Sequence, residues 1–330
     1  MSSPEPAPNA GGTSRGRERR ILRTAAPFAV SLILLVYVFA RIDLHSALGY
    51  LNGRVLLRFL GPLLLFNVAT LAIEARCLHR VTVSNPDDAR PLGHATAARI
   101  KAACYLLGLL NYALGAAGLS MLVQRRTGAS LAAAAGMVFL ISLLDIGSVL
   151  VWVTTGAILL QTDAFGVRLG TLAAMIGAIV LGFVFLRLPI SMGPLEVVRQ
   201  LPVFRAPRTV GIPLLLEIGL LRLLFVGCFV ALVAALFWSF GIDVAFTRLA
   251  LGVGVMLIVS ALPIAAGGLG TGQIAFVELF SGVAPDPQLL SGSILLSIGM
   301  IAVRAVVGLG FASEFTREAL TAARAESPLT

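Results

Sequence analysis

The 330-residue chain is 58% hydrophobic and only 12% charged, with a mean hydropathy of +0.95. A soluble domain carries about 25% charged residues, so this composition excludes one and points to an all-α polytopic membrane protein. The net charge of +9 is mostly arginine at the ends of apolar runs, the mark of cytoplasmic loops rather than of a nucleic-acid surface.

Residues 1–23 are rich in Pro, Gly and Ser and then in Arg, and are expected to form a disordered cytoplasmic tail. The first apolar run, 24–40, closes on Val38-Phe39-Ala40. That is not a small-x-small cleavage site, so the run reads as an uncleaved first span. Further apolar runs fall at 55–78, 100–123, 130–160, 167–186, 212–240, 247–281 and 289–312, with polar connectors at 79–99 and 187–211. Residues 24–312 are expected to form one membrane domain, and 313–330 a cytoplasmic tail.

If every run crossed once, starting from an inside tail, Arg125 and Arg126 would lie outside. So would Arg187, Arg199, Arg205 and Arg208, against the positive-inside rule. Charge placement is better served if 100–123 is a re-entrant hairpin turning at Asn111 to Gly118, with Gly115 between them. The run 247–281 then also returns to its starting side, and both termini are cytoplasmic. The expected architecture is about six full spans plus two re-entrant hairpins, in an inverted-repeat arrangement like that of many transporters.

The second turn carries the densest signal. PIAAGGLGTGQ places Pro263, Gly267, Gly268, Gly270, Thr271 and Gln273 where an uninterrupted helix would be expected. Proline and clustered glycine make a poor helix interior. An unpaired backbone amide costs several kcal/mol in hydrocarbon, so such a break survives only where protein or a wet cavity covers it. Close helix packing through small residues is the competing reading. A nucleotide loop is not expected, because no strand precedes the glycines and no Lys follows them. Asn111 has the bland alternative of simply capping its turn.

Charged side chains inside spans cost at least about 2.5 kcal/mol near the centre, so each needs a reason. Glu74, Arg76, Asp145, Glu217, Arg222 and Arg304 all lie in apolar runs. Glu74 and Arg76 are two apart, Glu217 and Arg222 five apart, so neither pair shares a helix face. Their partners are expected on other helices or on a ligand. A guanidinium matches phosphate oxygens bidentately, which makes Arg76, Arg222 and Arg304 candidates for a lipid phosphate. Interhelical ion pairs that only fix packing are the plain alternative. Cys77, Cys104 and Cys228 sit singly in apolar stretches, and His45, His79 and His94 lack a second ligand at metal spacing. No metal site, no cofactor and no catalytic set is expected.

The segment LPIAAGGLGTGQIAFVELF, followed by SILLSIGMIAVRAVVGLGF, resembles the signature of the lysylphosphatidylglycerol synthase transmembrane family, also called flippase-like membrane proteins. LLNYALGAAGLSMLVQRRTGASLAAAAGMVFLISLLDIG is similar to that family's first signature, and ARCL at 75–78 to its arginine ending the second span. The sequence departs from the pattern at Gln273, where the family usually has an acid, and at Gly272, Leu114 and Leu119. The soluble lysyl-transfer domain of full-length synthases has no counterpart up to residue 330. The resemblance therefore implies a non-enzymatic inner-membrane protein that binds, and translocates between leaflets, a polar-headgroup lipid of anionic character. An accessory protein presenting a hopanoid or phospholipid to a separate membrane or synthase partner is the alternative it implies.

Overall fold

The computed structural model describes residues 44–84, 90–110, 112–159, 165–187, 194–261 and 270–325. Tail 1–23, run 24–40, Asn111, Pro263, Gly267 and Gly268 lie outside the described residues. Those described are almost all helical, and no strand occurs among them. Among the described residues four helices are long and apolar enough to cross a membrane: α2 (Gly53–Val83), α5 (Leu131–Leu159), α9 (Ile212–Ser239) and the Asp286–Phe311 part of α12 (Asp286–Ala325). At 1.5 Å per residue these segments are about 39–46 Å long, more than the ~30 Å hydrocarbon core requires. The composition-based expectation of a membrane-type helical protein is met at this level.

The remaining helices are shorter. They are α1 (Leu44–Gly49), α3 (His94–Leu110), α4 (Tyr112–Thr127), α6 (Phe165–Arg187), α7 (Pro194–Arg199), α8 (Arg205–Thr209), α10 (Phe246–Ala261) and α11 (Thr271–Leu279). α12 continues past its apolar run to Ala325, so residues 313–325 extend that helix. Local signals explain several boundaries. The Asn52 side chain accepts the Val55 amide at 3.0 Å and caps α2. α9 begins with Pro213 in its first turn, where the missing N–H is not needed.

Paired contacts fix the helix directions. α2 and α9 run antiparallel: Arg58 lies over Trp238, Phe66 meets Phe229, and Arg76 and Arg80 meet Glu217. α5 runs alongside α9 in the same sense, with Asp145 on Arg222 and Trp152 Nε1 donating to the Leu223 carbonyl at 3.1 Å. α3 and α4 form an antiparallel pair whose outer ends meet where the Arg90 amide donates to the Thr127 carbonyl at 2.8 Å. That junction lies beside the C-terminal end of α2, since His94 stacks on His79. α10 and α11 also lie side by side, Gly252 against Phe280, and Arg248 at the start of α10 donates to the Ser281 carbonyl just after α11. This second pair closes beside the C-terminal end of α9, where Phe237 packs on Phe276 and Phe280. The outer ends of the two helix pairs thus lie at opposite ends of the bundle.

Within α4 the structure narrows the expected turn. Residues 112–127 are helical, so Gly115 and Gly118 are not turn residues. A Cβ on Gly115 would stand 2.9 Å from the Gly108 Cα, and one on Gly118 2.4 Å from Leu107 Cδ1. These glycines let the two arms approach closely, the packing use of small residues rather than the turning use.

Candidate functional site

Apolar packing is divided into two blocks. One gathers Phe59, Leu63 and Phe66 of α2, Val233, Leu236 and Phe237 of α9, and Phe276 and Phe280. The other gathers Leu78 and Val81 of α2, Ile100, Met137 and Ile218. On α2 the inward face between the blocks carries buried Asn67 and Thr70 and then Glu74. On α9 it carries Arg222, between Ile218 and Val226. Asp145 stands at the centre of α5. A polar layer therefore crosses the bundle between the two apolar blocks.

Every carboxylate in and beside this layer is engaged by another helix. Arg222, 3% exposed, donates through Nε to Asp145 Oδ1 from a position 77 residues away, and its guanidinium also lies 4.2 Å from the Phe225 ring centroid. Glu74 takes Lys101 Nζ at 2.9 Å and the Tyr105 hydroxyl, also at 2.9 Å. Both partners come from α3 at i and i+4, one face of that helix. Across the Tyr105 ring, at 5.3 Å from its centroid, lies the guanidinium of Arg304 from α12. Arg304 Nε is buried without a hydrogen-bond acceptor among the described residues.

A second ionic layer sits one to two turns toward the C-terminal end of α2. Glu217 accepts Arg80 through a two-oxygen contact at 2.8 and 2.9 Å, and Arg76 at 3.2 Å. Arg76 also donates to His94 Nε2 at 3.1 Å. Because arginine cannot accept, this contact holds His94 in the neutral tautomer with a free lone pair on Nε2. Lost hydration, then the neighbouring His79 ring and Arg76 charge, lower the His94 pKa below its ordinary value. The His79 ring lies 3.8 Å from that of His94 and donates from Nδ1 to the Leu92 carbonyl at 2.5 Å.

At the other glycine segment, Gly270 has φ +89° and ψ −58°, close to a γ-turn conformation open to glycine and strained for other residues. Its amide donates to Gln273 Oε1 at 2.6 Å, so the third residue of α11 reaches back to cover the helix start. Gln273 Nε2 then donates to Ser297 Oγ of α12 at 3.1 Å. Thr271 is the first residue of that helix. Ser297 and Arg304 are seven apart, two turns along one face of α12, about 10 Å on the axis. Between them Met300 Sδ accepts from Asn67 Nδ2 at 3.9 Å. One face of α12 therefore carries contacts to both helix pairs.

Of the residues singled out from sequence, Glu74, Arg76, Asp145, Glu217, Arg222 and Arg304 fall in the two ionic layers. Gly115 and Gly118 serve the α3–α4 contact, while Gly270, Thr271 and Gln273 start α11. Sequence reasoning missed Lys101 and Tyr105 as site residues. The usable signal was a Lys and a Tyr at i, i+4 entering an apolar run. An open crevice of about 440 Å³, lined by Ala245, Arg248, Leu251 and Leu279 among others, lies away from both layers and shares no residue with them. No known family model and no curated protein matches the chain.

Proposed function

We propose that the chain is a multi-pass protein of the cell inner membrane that binds a lipid with a polar headgroup and passes that headgroup between leaflets. The observation that carries the reading is the charged layer between two apolar blocks, inside a bundle of four membrane-length helices among the described residues. Ionisable groups at such depth face a bundle interior and mark a path for polar cargo. The two short helix pairs, closing at opposite ends of the bundle, support two re-entrant hairpins of an inverted repeat, with about six full spans. α3 and α4, at 17 and 16 residues, are shorter than the roughly 20 residues of a span. Cytoplasmic termini follow from the arginine distribution, and the resemblance to flippase-like membrane proteins points the same way.

In this reading the headgroup travels along the polar face shared by α2, α3, α9 and α12 while the acyl chains stay in lipid. The test is reconstitution of purified protein into liposomes holding fluorescent phosphatidylglycerol, followed by a membrane-impermeant quencher. Protein-dependent quenching of the inner-leaflet pool is expected. Label that stays in its starting leaflet defeats translocation, and a second membrane protein copurifying in that case favours the accessory, lipid-presenting role.

A further inference from the structure

The polar layer contains more cations than its own carboxylates neutralise. Lys101 is paired with Glu74 and Arg222 with Asp145. Among the described residues Arg304 forms no salt bridge with a carboxylate: it lies over the Tyr105 ring, whose hydroxyl is already donated to Glu74. Three cations thus face two carboxylates, an excess of one positive charge among the described residues. Other arginines with an orphaned Nε, Arg199 and Arg208, lie in the 194–209 connector; Arg304 alone of the three is within a membrane-length helix. A lone charge and an unmet N–H are both expensive in a dry interior, and one anion would relieve both.

Resting on the lipid-handling reading above, we infer that Arg304 is the receiving group for the phosphate of a net-anionic ligand, held between α12 and the Tyr105 edge of α3. Arg76 and Arg222, equal candidates on sequence alone, are committed to Glu217 and Asp145. Arg304 is only partly buried, while its neighbour Ile301, one turn earlier, is exposed on the outer face of α12. An anion can therefore approach from the lipid side without parting the Arg222–Asp145 pair. A planar fork engages two phosphate oxygens at once, which an ammonium cannot do. A headgroup carrying its own cation would leave the excess charge in place, so the site selects a net-negative phosphate diester over a zwitterionic one.

The experiment is native mass spectrometry of the purified full chain offered equal amounts of phosphatidylglycerol, phosphatidylcholine and diacylglycerol, with inorganic phosphate as a separate arm. Wild type is expected to retain phosphatidylglycerol on the order of tenfold over the other two, as a charge-assisted contact implies. Arg304→Gln should abolish the preference. Equal retention of phosphatidylglycerol by Arg304→Gln and wild type overturns the assignment. Retention of all three lipids without preference also overturns it, while leaving the lipid-handling reading intact. If no lipid is retained but inorganic phosphate raises the melting temperature in an Arg304-dependent way, the anion site stands and the lipid reading falls. Should Arg304→Gln fail to fold, Arg304→Lys takes its place: a severalfold loss is expected, and undiminished preference overturns the proposal.

Discussion

Arg222 and Asp145, 77 residues apart in sequence, meet in the polar layer of the bundle and join α9 to α5. Removing one member leaves the other's charge with no partner of its own, which costs about 3–5 kcal/mol for a fully buried pair. Asp145 keeps a quarter of its side chain exposed, so the lower end applies. Arg222→Gln and Asp145→Asn are each expected to destabilise by about 3 kcal/mol, and the double variant by far less than their sum. Thermal melting in detergent measures this; additive losses would show that the pair is not the relevant unit.

Glu217 ties α9 to α2 through Arg76 and Arg80, but the carboxylate and both arginines are substantially exposed. Such pairs contribute about 0–1 kcal/mol each. Glu217→Gln should therefore melt within a few degrees of wild type. Its effect should appear in salt dependence instead, because exposed pairs are screened: wild type is expected to lose stability between 0.05 and 0.5 M salt, and Glu217→Gln to lose less. Identical salt profiles would remove the Glu217 contacts from the energetics.

His94 gives a pH signature. Its folded-state pKa lies below the ordinary value, so the folded protein binds fewer protons than the unfolded chain and this group's contribution increases with pH. The contribution is intact above the unfolded histidine value of about 6.5 and declines as pH falls below it. The groups facing the ring are His79 and Arg76, both of which repel an added proton. Melting curves between pH 8 and 5 should show wild type losing stability and His94→Gln losing less; parallel curves would refute the assignment.

Gly156 marks a close backbone approach of α5 to α10. A Cβ there would stand 2.5 Å from the Leu251 amide nitrogen and 2.8 Å from its Cα. Backbone cannot turn aside as a side chain can, so Gly156→Ala should cost about 2–3 kcal/mol, the upper part of the overpacking range. Gly147 on the same helix has open space, and Gly147→Ala should be neutral or stabilising by up to about 1 kcal/mol. Comparing the two melting temperatures isolates contact from helix propensity.

At the start of α11, Gln273 performs two tasks, accepting the Gly270 amide and donating to Ser297. Gln273→Glu keeps the acceptor but loses the donor, while placing a carboxylate where the sequence has none. A cost of about 1–3 kcal/mol is expected from burying the carboxylate charge, which the Ser297 hydroxyl alone does not balance, with recovery of a large part in Gln273→Glu/Ser297→Lys if the partner assignment is right. Denaturant melts of the two variants decide this.

Much of the layout was legible because it depends on local, repetitive signals. Long apolar runs set the four membrane-length helices, and the glycines around Gly270 marked a break inside the 247–281 run, although Thr271 and Gln273, expected in the turn, already belong to α11. What stayed hidden depends on register between helices. Glu74, Glu217 and Asp145 announced that they needed partners, but nothing local says that Lys101 serves the first and Arg80 the second. Gly115 and Gly118 were misread for a physical reason: glycine serves equally to turn a chain and to let two helices touch, and only the Gly108 backbone opposite distinguishes the uses. Tyr105 gave no warning, since an aromatic in an apolar run is ordinary until its hydroxyl finds a carboxylate.

Cys228 packs against both apolar blocks, and among the described residues it is common to both. Elsewhere the greasy interior is interrupted by a belt of charge. The apolar interior is thus not one continuous slab but two thinner ones with a charged belt between them.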